Sequence, residues 1–269
     1  MAYFSRIDDR TFQPSLWTGG AWNLREQHIA PALGLLTHLV EHDRIGRADD
    51  FVIGRLSYDI LGPLPIEPFE ADVHLVRAGR TVELTEASLS HHQRPVVRLR
   101  AWLLKPHDTQ SLAGTPLPRI APPLDMQPWD ATSVWRGEFI KTISVRRAEE
   151  APGRAAYWLR TDEALLDDEP VSPLARAAGL FDVANGMAAR VSPTEATYPN
   201  VDLTVHLFGT PRSDWLGFDT SASFGSNGLG LTSTVLHDES EGPIGVIGQA
   251  LTVRPVARGG VERTIESPS

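Results

Sequence analysis

The spacing of apolar positions predicts one helix in each half of the chain. In the first half, apolar residues over 29–41 recur every three or four positions, the period of an amphipathic helix. Pro31 lies early in this stretch, where a first helical turn tolerates proline. In the second half, Ser172 followed by Pro173 is typical of a helix start, and small apolar residues then continue at helical spacing. We therefore predict a second helix over 173–190.

Apolar stretches bounded by turn residues predict several β-strands after each helix. The Asn227–Gly228 pair between two such stretches is a strong hairpin signal. The strands are expected in the first half at 51–60, in a hairpin over 69–90 and at 96–104, and in the second half at 201–208, 216–224, 229–236 and 244–253. Each half therefore has the same order, one helix followed by an antiparallel sheet.

The two halves also repeat each other in sequence. The stretch RLSYDILGPLP at 55–65 reappears as DLTVHLFGTPR at 202–212, about 147 residues later, which is close to one domain length. Chance similarity between two β-rich stretches is the alternative explanation. We predict two modules, over 1–104 and 131–269, joined by a proline-rich linker over 105–130.

Composition restricts the classes of function. The chain has 269 residues, of which 41% are hydrophobic and 22% charged, as in ordinary globular proteins with two cores. The formal net charge of −9 argues against a general partner among nucleic acids or anionic membranes. Without cysteine, thiolate nucleophiles, disulfides and cysteine-ligated zinc are excluded. The N-terminus lacks the pattern of a signal peptide and no apolar run approaches membrane-spanning length, so we expect a cytoplasmic protein without membrane insertion.

Several of these stretches resemble the TesB-like acyl-CoA thioesterases. The resemblance is carried by GRLSYDILGPLP and VRAGRTVELTEASLS in the first half, and by SPLARAAGLFDVANGMAARV, NVDLTVHLFGTP and GQALTVRP in the second. It implies an α+β double hotdog, in which each of two tandem modules wraps a long antiparallel sheet around one central helix. It further implies hydrolysis of an acyl-CoA or acyl-carrier thioester in lipid metabolism, without a cofactor. Because hotdog sheets commonly pair edge to edge, a homo-oligomer is expected.

The resemblance also implies a catalytic group in which an Asp, a Ser or Thr, and a Gln hold the attacking water. Asp202 and Gln249 match the Asp and the Gln. An ungapped alignment places Ser223 at the hydroxyl position, and Thr220 is nearly as eligible. The first-half counterparts, such as Arg55 for Asp202, cannot perform this chemistry. The second module is therefore predicted to be the active half, with Asp202, Ser223 and Gln249 as catalytic residues.

Physical chemistry supports these residue types independently of the resemblance. A thioester is an activated acyl group, so a positioned water with modest base assistance suffices. A carboxylate accepts the proton of the water, and an amide and a hydroxyl fix its remaining hydrogen bonds. Gln249 shares its strand face with apolar residues, so a buried amide there needs polar partners. The alternative is that Gln249 only ties adjacent strands together.

Other polar residues are weaker candidates for binding the substrate. Asp182 and Asn185, three positions apart on the second predicted helix, would line the substrate channel or else be exposed polar positions. Asn200 would orient Asp202 across a turn, or serve the turn alone. His28 stands at the head of the first helix, where relatives often have His-Gly-Gly-Pro and this chain has His-Ile-Ala-Pro.

Two other functions compete with hydrolysis. A hotdog hydratase or dehydratase acting on enoyl thioesters would need a His–carboxylate pair, for which His206 with Asp182 is the nearest candidate. A protein that binds acyl thioesters without catalysis is the other alternative. His91 and His92 lie in a predicted hairpin turn and are interpreted as exposed rather than as metal ligands, so no metal site is expected.

Overall fold

The computed structural model describes residues 1–45, 47 and 50–256. The first half contains β1 (Ala2–Arg6), β2 (Thr11–Pro14), α1 (Ile29–His42), β3 (Val52–Ile60), β4 (Phe69–Arg77), β5 (Val82–His91) and β6 (Arg94–Leu104). The second half contains β7 (Gln127–Trp129), α2 (Glu138–Lys141), β8 (Ile143–Ala151), β9 (Arg154–Thr161), β10 (Ala164–Leu166), α3 (Pro173–Ala178), α4 (Ala184–Met187), β11 (Ala196–Thr197), β12 (Asp202–Leu207), β13 (Leu216–Phe224), β14 (Leu229–Asp238), β15 (Gly242–Thr252) and β16 (Arg254–Pro255). The first predicted helix and all the predicted strands are confirmed, with bounds that differ by no more than two residues.

Fourteen of the strands form one sheet, in the order β10-β1-β2-β4-β5-β6-β3-β12-β15-β14-β13-β9-β8-β7. The pair β1–β10 is parallel, and the other neighbouring pairs are antiparallel. The order β4-β5-β6-β3 of the first half is repeated by β13-β14-β15-β12 in the second. Strands β11 and β16 pair separately. The fold is the α+β double hotdog expected from the sequence.

The two halves join where β3 pairs with β12. Ser57 lies opposite Thr204 in this pair, and the two hydroxyl oxygens are 3.0 Å apart. These are the two residues that correspond in the sequence repeat. The register of the junction therefore relates the two halves by an approximate two-fold rotation, and corresponding residues lie on the same face of the continuous sheet.

Helix α1 lies in the core and packs against strands of its own half and against α3. The residues of α1 from Ala30 to Val40 are buried, because the helix is covered by the sheet on one side and by α3 on the other. Gly34 lies at the crossing of the two helices, where an added Cβ would be 2.8 Å from the carbonyl oxygen of Ala175. The close approach of the helices therefore requires glycine at this position.

The second predicted helix, over 173–190, is not continuous. Ser172 caps its start as expected, since its hydroxyl accepts a hydrogen bond from Ala175 N at 3.0 Å. The helix then breaks after α3 into a 3₁₀ turn over Phe181–Val183, followed by the short α4. Gly179 lies at the break and packs against α1, and glycine has low helix propensity. The prediction of one helix here is wrong, and the break places the side chains of the turn differently from those of a regular helix.

Strands β1, β2, β7–β11 and β16 were not predicted, and β7 lies inside the predicted linker. Both ends of the linker are held by hydrogen bonds, from Lys105 N to Thr81 O at 2.9 Å and through the pairing of β7 with β8. Leu112 and Leu124, between these ends, are exposed. Strand β10 pairs with β1, so the two predicted modules contact each other at the sheet edge as well as at its centre. The module boundaries stay predictions. Among the described residues, no helix is long and apolar enough to cross a membrane.

Candidate active site

A buried carboxylate lies where the two halves meet. Asp182, in the 3₁₀ turn between α3 and α4, is 6% exposed. Its Oδ1 accepts a hydrogen bond from Nδ2 of Asn200 at 2.7 Å and a longer one from Nε2 of Gln249 at 3.5 Å. Its Oδ2 lies 3.8 Å from Nδ1 of His28. One carboxylate from the second half is therefore surrounded by two amides of the same half and one imidazole of the first half.

Backbone structure fixes each of these partners. Asn200 precedes β12, bridges to β15 at Leu251, and also donates to the carbonyl oxygen of Asp202 at 3.1 Å. Gln249 lies on the inner face of β15 and is 1% exposed. His28 is the N-cap of α1, because its Nδ1 accepts a hydrogen bond from Ala30 N at 3.2 Å. The polar cluster is therefore held by two strands and two helix regions rather than by a loop.

Burial shifts the pKa values of Asp182 and His28 and so determines the charge of each group near neutral pH. Desolvation raises the pKa of Asp182 to about 7, although the hydrogen bond from Asn200 opposes this. Desolvation lowers the pKa of His28 to about 4, so its imidazole is neutral at pH 7. Because Nδ1 of His28 accepts the amide proton of Ala30, Nε2 carries the ring proton. The cluster thus holds a carboxyl group that titrates near neutral pH beside a neutral hydrogen-bond donor.

Two buried polar atoms near this carboxylate lack a hydrogen-bond partner among the described residues. They are Oε1 of Gln249 and Oγ1 of Thr232, and the two residues lie opposite each other in the pairing of β14 with β15. Buried polar atoms nearly always have a partner, either from the protein or from water. A small polar group, from solvent or from a ligand, is therefore expected beside the amide oxygen of Gln249.

An open cleft of about 700 Å³ leads from the surface to this cluster. Its first-half wall includes Trp22, Gln27, His28, Ile29, Gly62 and Leu64, and its second-half wall includes Asp182, Asn185, Thr197, Asn200 and Arg254. A smaller pocket of about 20 Å³ beside it shares Ala21, Trp22, His28 and Asn185 with the cleft. A ligand in the cleft would contact both halves and reach the carboxylate of Asp182.

The grouping of Asp202, Ser223 and Gln249 expected from the sequence is not formed. Asp202 lies on the outer face of the sheet, where its Oδ1 accepts a hydrogen bond from Ala250 N at 2.7 Å. Ser223 is exposed on the same outer face, opposite Leu231. Gln249 points to the inner face. Because side chains alternate between faces along a strand, this sheet separates Gln249 from the other two.

Thr220 and Asn185 meet different surroundings. Thr220 is fully buried, and its hydroxyl is 3.0 Å from the hydroxyl of Tyr157 and 2.9 Å from that of Thr234. It is thus part of a hydroxyl network in the core and does not line the cleft. Asn185 does line the cleft, and its Nδ2 is 3.5 Å from the carbonyl oxygen of Tyr198.

The histidines considered as catalytic or metal-binding residues also lie outside the cleft lining. His206 is exposed on the outer face opposite Arg55, so the pair of His206 with the buried Asp182 does not form. His91 ends β5 beside the hairpin turn, and its Nε2 is 3.1 Å from Oε2 of Glu67. Glu67, His91 and His92 could together hold a metal ion, but they lie outside the cleft, and the absence of a metal stays a prediction.

Family profiles match both halves of the chain. The profile of the acyl-CoA thioesterase N-terminal domain matches residues 18–104, and that of the C-terminal domain matches residues 118–253. The chain belongs to the acyl-CoA thioesterase family. The two matched ranges both contribute to the cleft, the first with His28 and the second with Asp182. None of the curated proteins matches the sequence.

Solved structures share the fold over nearly the whole chain. A protein of unknown function with a hotdog fold from Alicyclobacillus acidocaldarius superimposes with a TM-score of 0.73 at 16% identity, covering 94% of this chain and 96% of its own. The acyl-CoA thioesterase II TesB2 from Mycobacterium marinum gives a TM-score of 0.67 at 16% identity, with 94% and 96% covered. The tesB protein of Mycobacterium avium subspecies paratuberculosis gives 0.64 at 18% identity, with the same coverage. At these identities the similarity shows the double hotdog fold alone.

Proposed function

We propose that the protein hydrolyses acyl-CoA thioesters to the free acid and CoA, with Asp182 as the general base. The observation that carries the proposal is a buried carboxyl group in the cleft whose pKa is raised to about 7, beside the unpartnered amide oxygen of Gln249. A base with a pKa near the working pH is both ionised and basic enough to accept a proton. Membership of the acyl-CoA thioesterase family supports the reaction and the substrate class.

The cluster is suited to hold one water for attack. Oδ2 of Asp182 and Oε1 of Gln249 are both acceptors, so a water between them donates both of its hydrogens and directs a lone pair at the thioester carbonyl. Asp182 takes one proton as the new C–O bond forms. The tetrahedral intermediate then expels the CoA thiolate, which takes the proton from the Asp182 carboxyl. Asn200 holds Oδ1 of Asp182 and so keeps Oδ2 available.

The first half supplies donors for the oxyanion of the intermediate. The Nε2–H of His28 is one donor, because the imidazole is neutral and buried at the cleft wall. The amide of Ile29 at the start of α1 is another, since Ile29 lines the cleft, whereas the amide of Ala30 is bonded to His28 and Pro31 has none. Preorganised donors of this kind lower the barrier where negative charge develops. The proposed reaction therefore uses both halves.

A hydratase remains the competing enzyme, with His28 and Asp182 as the pair at 3.8 Å. The low pKa of His28 disfavours it, since a neutral imidazole at pH 7 is a weak proton donor to an enoyl thioester. Hydration of crotonyl-CoA, followed as loss of the enoyl absorbance, tests this alternative directly. The cytoplasmic location, the role in lipid metabolism and the homo-oligomer stay predictions.

The decisive experiment is a thiol-release assay on a panel of acyl-CoA thioesters with two matched variants. Asp182→Asn keeps the size and the acceptor for Asn200 but removes the base, so hydrolysis should fall by about 10²–10⁴-fold. Asp202→Asn makes the same chemical change on the outer face and should stay within about threefold of wild type.

Equal losses in Asp182→Asn and Asp202→Asn, in proteins with matched thermal unfolding, would contradict the assignment of the base. If the wild-type protein binds acyl-CoA but releases no thiol from any thioester, its function is binding of acyl-CoA and not hydrolysis.

A further inference from the structure

The wall of the cleft carries one permanent positive charge, on Arg254. Strand β16, which contains Arg254, pairs with β11, and Thr197 lies opposite Arg254 in this pair. Both residues line the cleft. The other ionisable groups among the described residues of the lining are the carboxyl groups of Glu26 and Asp182 and the imidazole of His28, which is neutral at pH 7. An anionic group of a ligand in the cleft therefore has one arginine available to it.

The guanidinium of Arg254 is available to bind a ligand. The residue is exposed, and its side chain makes no ion pair and no hydrogen bond with the described part of the chain. The carboxylate of Glu26, in the same lining, accepts a hydrogen bond from Nδ2 of Asn23 at 2.7 Å. Arg212, by contrast, follows β12 at the end of the strand opposite to the cleft, and its Nη1 lies 3.8 Å from Oε1 of Glu241. Arg254 is thus an unpaired cation on a wall that a ligand can reach.

The distance from the proposed base to Arg254 is within the length of a pantetheine arm. Nε2 of Gln249 is 3.5 Å from Oδ1 of Asp182, and Arg254 follows Gln249 by five residues. Five residues of extended chain span at most about 18 Å. The pantetheine arm of CoA has about 13 bonds between the sulfur and the first phosphorus, and at about 3.8 Å for every three bonds it extends to about 16 Å. With the added reach of the arginine side chain, a thioester at Asp182 can therefore bring its first phosphate to Arg254.

The charge of the whole protein increases the importance of this cation. Because the formal net charge is −9, the protein repels an anionic substrate at low ionic strength. A fixed arginine in the cleft offsets this repulsion locally, and its paired N–H donors match two oxygens of a phosphate. The phosphate is far from the reacting carbonyl, so the contact stabilises the bound substrate and the transition state equally. Its loss is therefore expected to raise KM and to leave kcat unchanged.

We infer that Arg254 binds the phosphate at the end of the pantetheine arm and so selects phosphorylated thiol carriers over the same arm without phosphate. This inference rests on the proposed hydrolysis at Asp182, which determines where the thioester lies. The phosphate is common to CoA and to the phosphopantetheine group of an acyl carrier protein. The two carriers differ beyond it, because CoA continues into a nucleotide and the other into a protein. Arg254 thus recognises the carrier and not the acyl group.

The test compares butyryl thioesters of CoA, 4′-phosphopantetheine, pantetheine and an acyl carrier protein by thiol release. Arg254→Ala should raise KM for the three phosphorylated substrates by about tenfold, keep kcat within about twofold, and leave KM for the pantetheine thioester within about threefold. Arg254→Lys keeps the charge without the paired donors and should give an intermediate KM. Arg212→Ala removes the same charge outside the cleft lining and should keep the wild-type constants. The phosphorylated carrier with the lower wild-type KM, CoA or the protein, is the source of the phosphate.

Binding measurements separate this inference from the proposed function, because calorimetric titration with CoA and with pantetheine needs no hydrolysis. Arg254→Ala should weaken the binding of CoA by about tenfold and leave that of pantetheine unchanged. Hydrolysis with an unchanged KM in Arg254→Ala overturns the inference alone. An effect on CoA without one on 4′-phosphopantetheine also overturns it, because Arg254 then binds the nucleotide. Wild type that releases thiol from no substrate overturns the proposed function alone if the binding of CoA depends on Arg254, and overturns both if it does not.

Discussion

The two halves build the same sheet around their helices, but the inner face of the sheet differs at corresponding positions. Gln249 on β15 pairs with Thr232 on β14, and Ala101 on β6 pairs with Thr85 on β5. All four side chains are buried. The second half therefore has an amide where the first has a methyl group. A duplicated scaffold can thus carry a polar site in one copy while the other copy keeps an apolar core at the same place.

The helices differ in a related way. Each helix start lies close to a carboxylate of the other half: His28 at the start of α1 lies near Asp182, and Ser172 at the start of α3 donates to Oε2 of Glu41 at 2.6 Å. Burial raises the pKa of both carboxyl groups. The carboxylate of Glu41 accepts one direct hydrogen bond, from Ser172, whereas Asp182 lies in the broken helix, lines the cleft and faces Gln249. The amide and the helix break together distinguish the candidate active site from its counterpart.

Among the changes that test the difference between the two halves, removing the amide of Gln249 is expected to have the largest effect on catalysis. Gln249→Ala makes the second half resemble the first at this position, where Ala101 stands. Because the attacking water loses an acceptor, kcat should fall by about 10²–10³-fold while KM changes little. Steady-state thioester hydrolysis measures both constants. Arg55→Ala, on the outer face of the first half, is the matched control and should hydrolyse thioesters like wild type.

The pH dependence of hydrolysis should report the carboxyl group of Asp182. Since the base must be ionised, kcat/KM should rise as pH increases through about 7 and then reach a plateau. Asn200→Ala removes the hydrogen bond that lowers this pKa, so its profile should move to higher pH, by about one unit. A pH–rate profile between pH 5.5 and 9 tests the shift. Identical midpoints for the two proteins would mean that another group limits the rate.

Local signals explain how much of the fold was predictable from the sequence. The bounds of α1 and β13 follow from apolar periodicity and from the flanking turn residues, all of which lie within the elements themselves. Strand β10 pairs with the distant β1 and β2 pairs with the distant β4, and β1, β2, β7 and β10 are only three to five residues long. Strands β8 and β9, by contrast, pair with each other across a short turn and were also not predicted. The break at Gly179 depends on its contact with α1, which no local pattern contains.

The sequence predicted only part of the residue cluster that the structure brings together, and the difference has a structural cause. Gln249 was identified because an amide among apolar neighbours needs a buried partner. Asp202, the predicted partner of Gln249, alternates with Leu203 and so lies on the face opposite the core. Asp182 lies between Phe181 and Val183, and a carboxylate inside an apolar stretch is the signal of a buried acid. The contact of His28 with Asp182 arises only when the halves pack together.

The smallest expected effects concern the two hydroxyls considered for the site. Thr220→Val removes a buried hydroxyl that bonds Tyr157 and Thr234, so the free energy of unfolding should fall by about 1–2 kcal/mol, while hydrolysis stays within about threefold of wild type. Ser223→Ala, at an exposed outer-face position, should change neither quantity measurably. Urea unfolding and thiol release on the same preparations test both expectations. A Thr220→Val protein of unchanged stability but greatly reduced turnover would place its hydroxyl in the reaction, and the core network would then be part of the site.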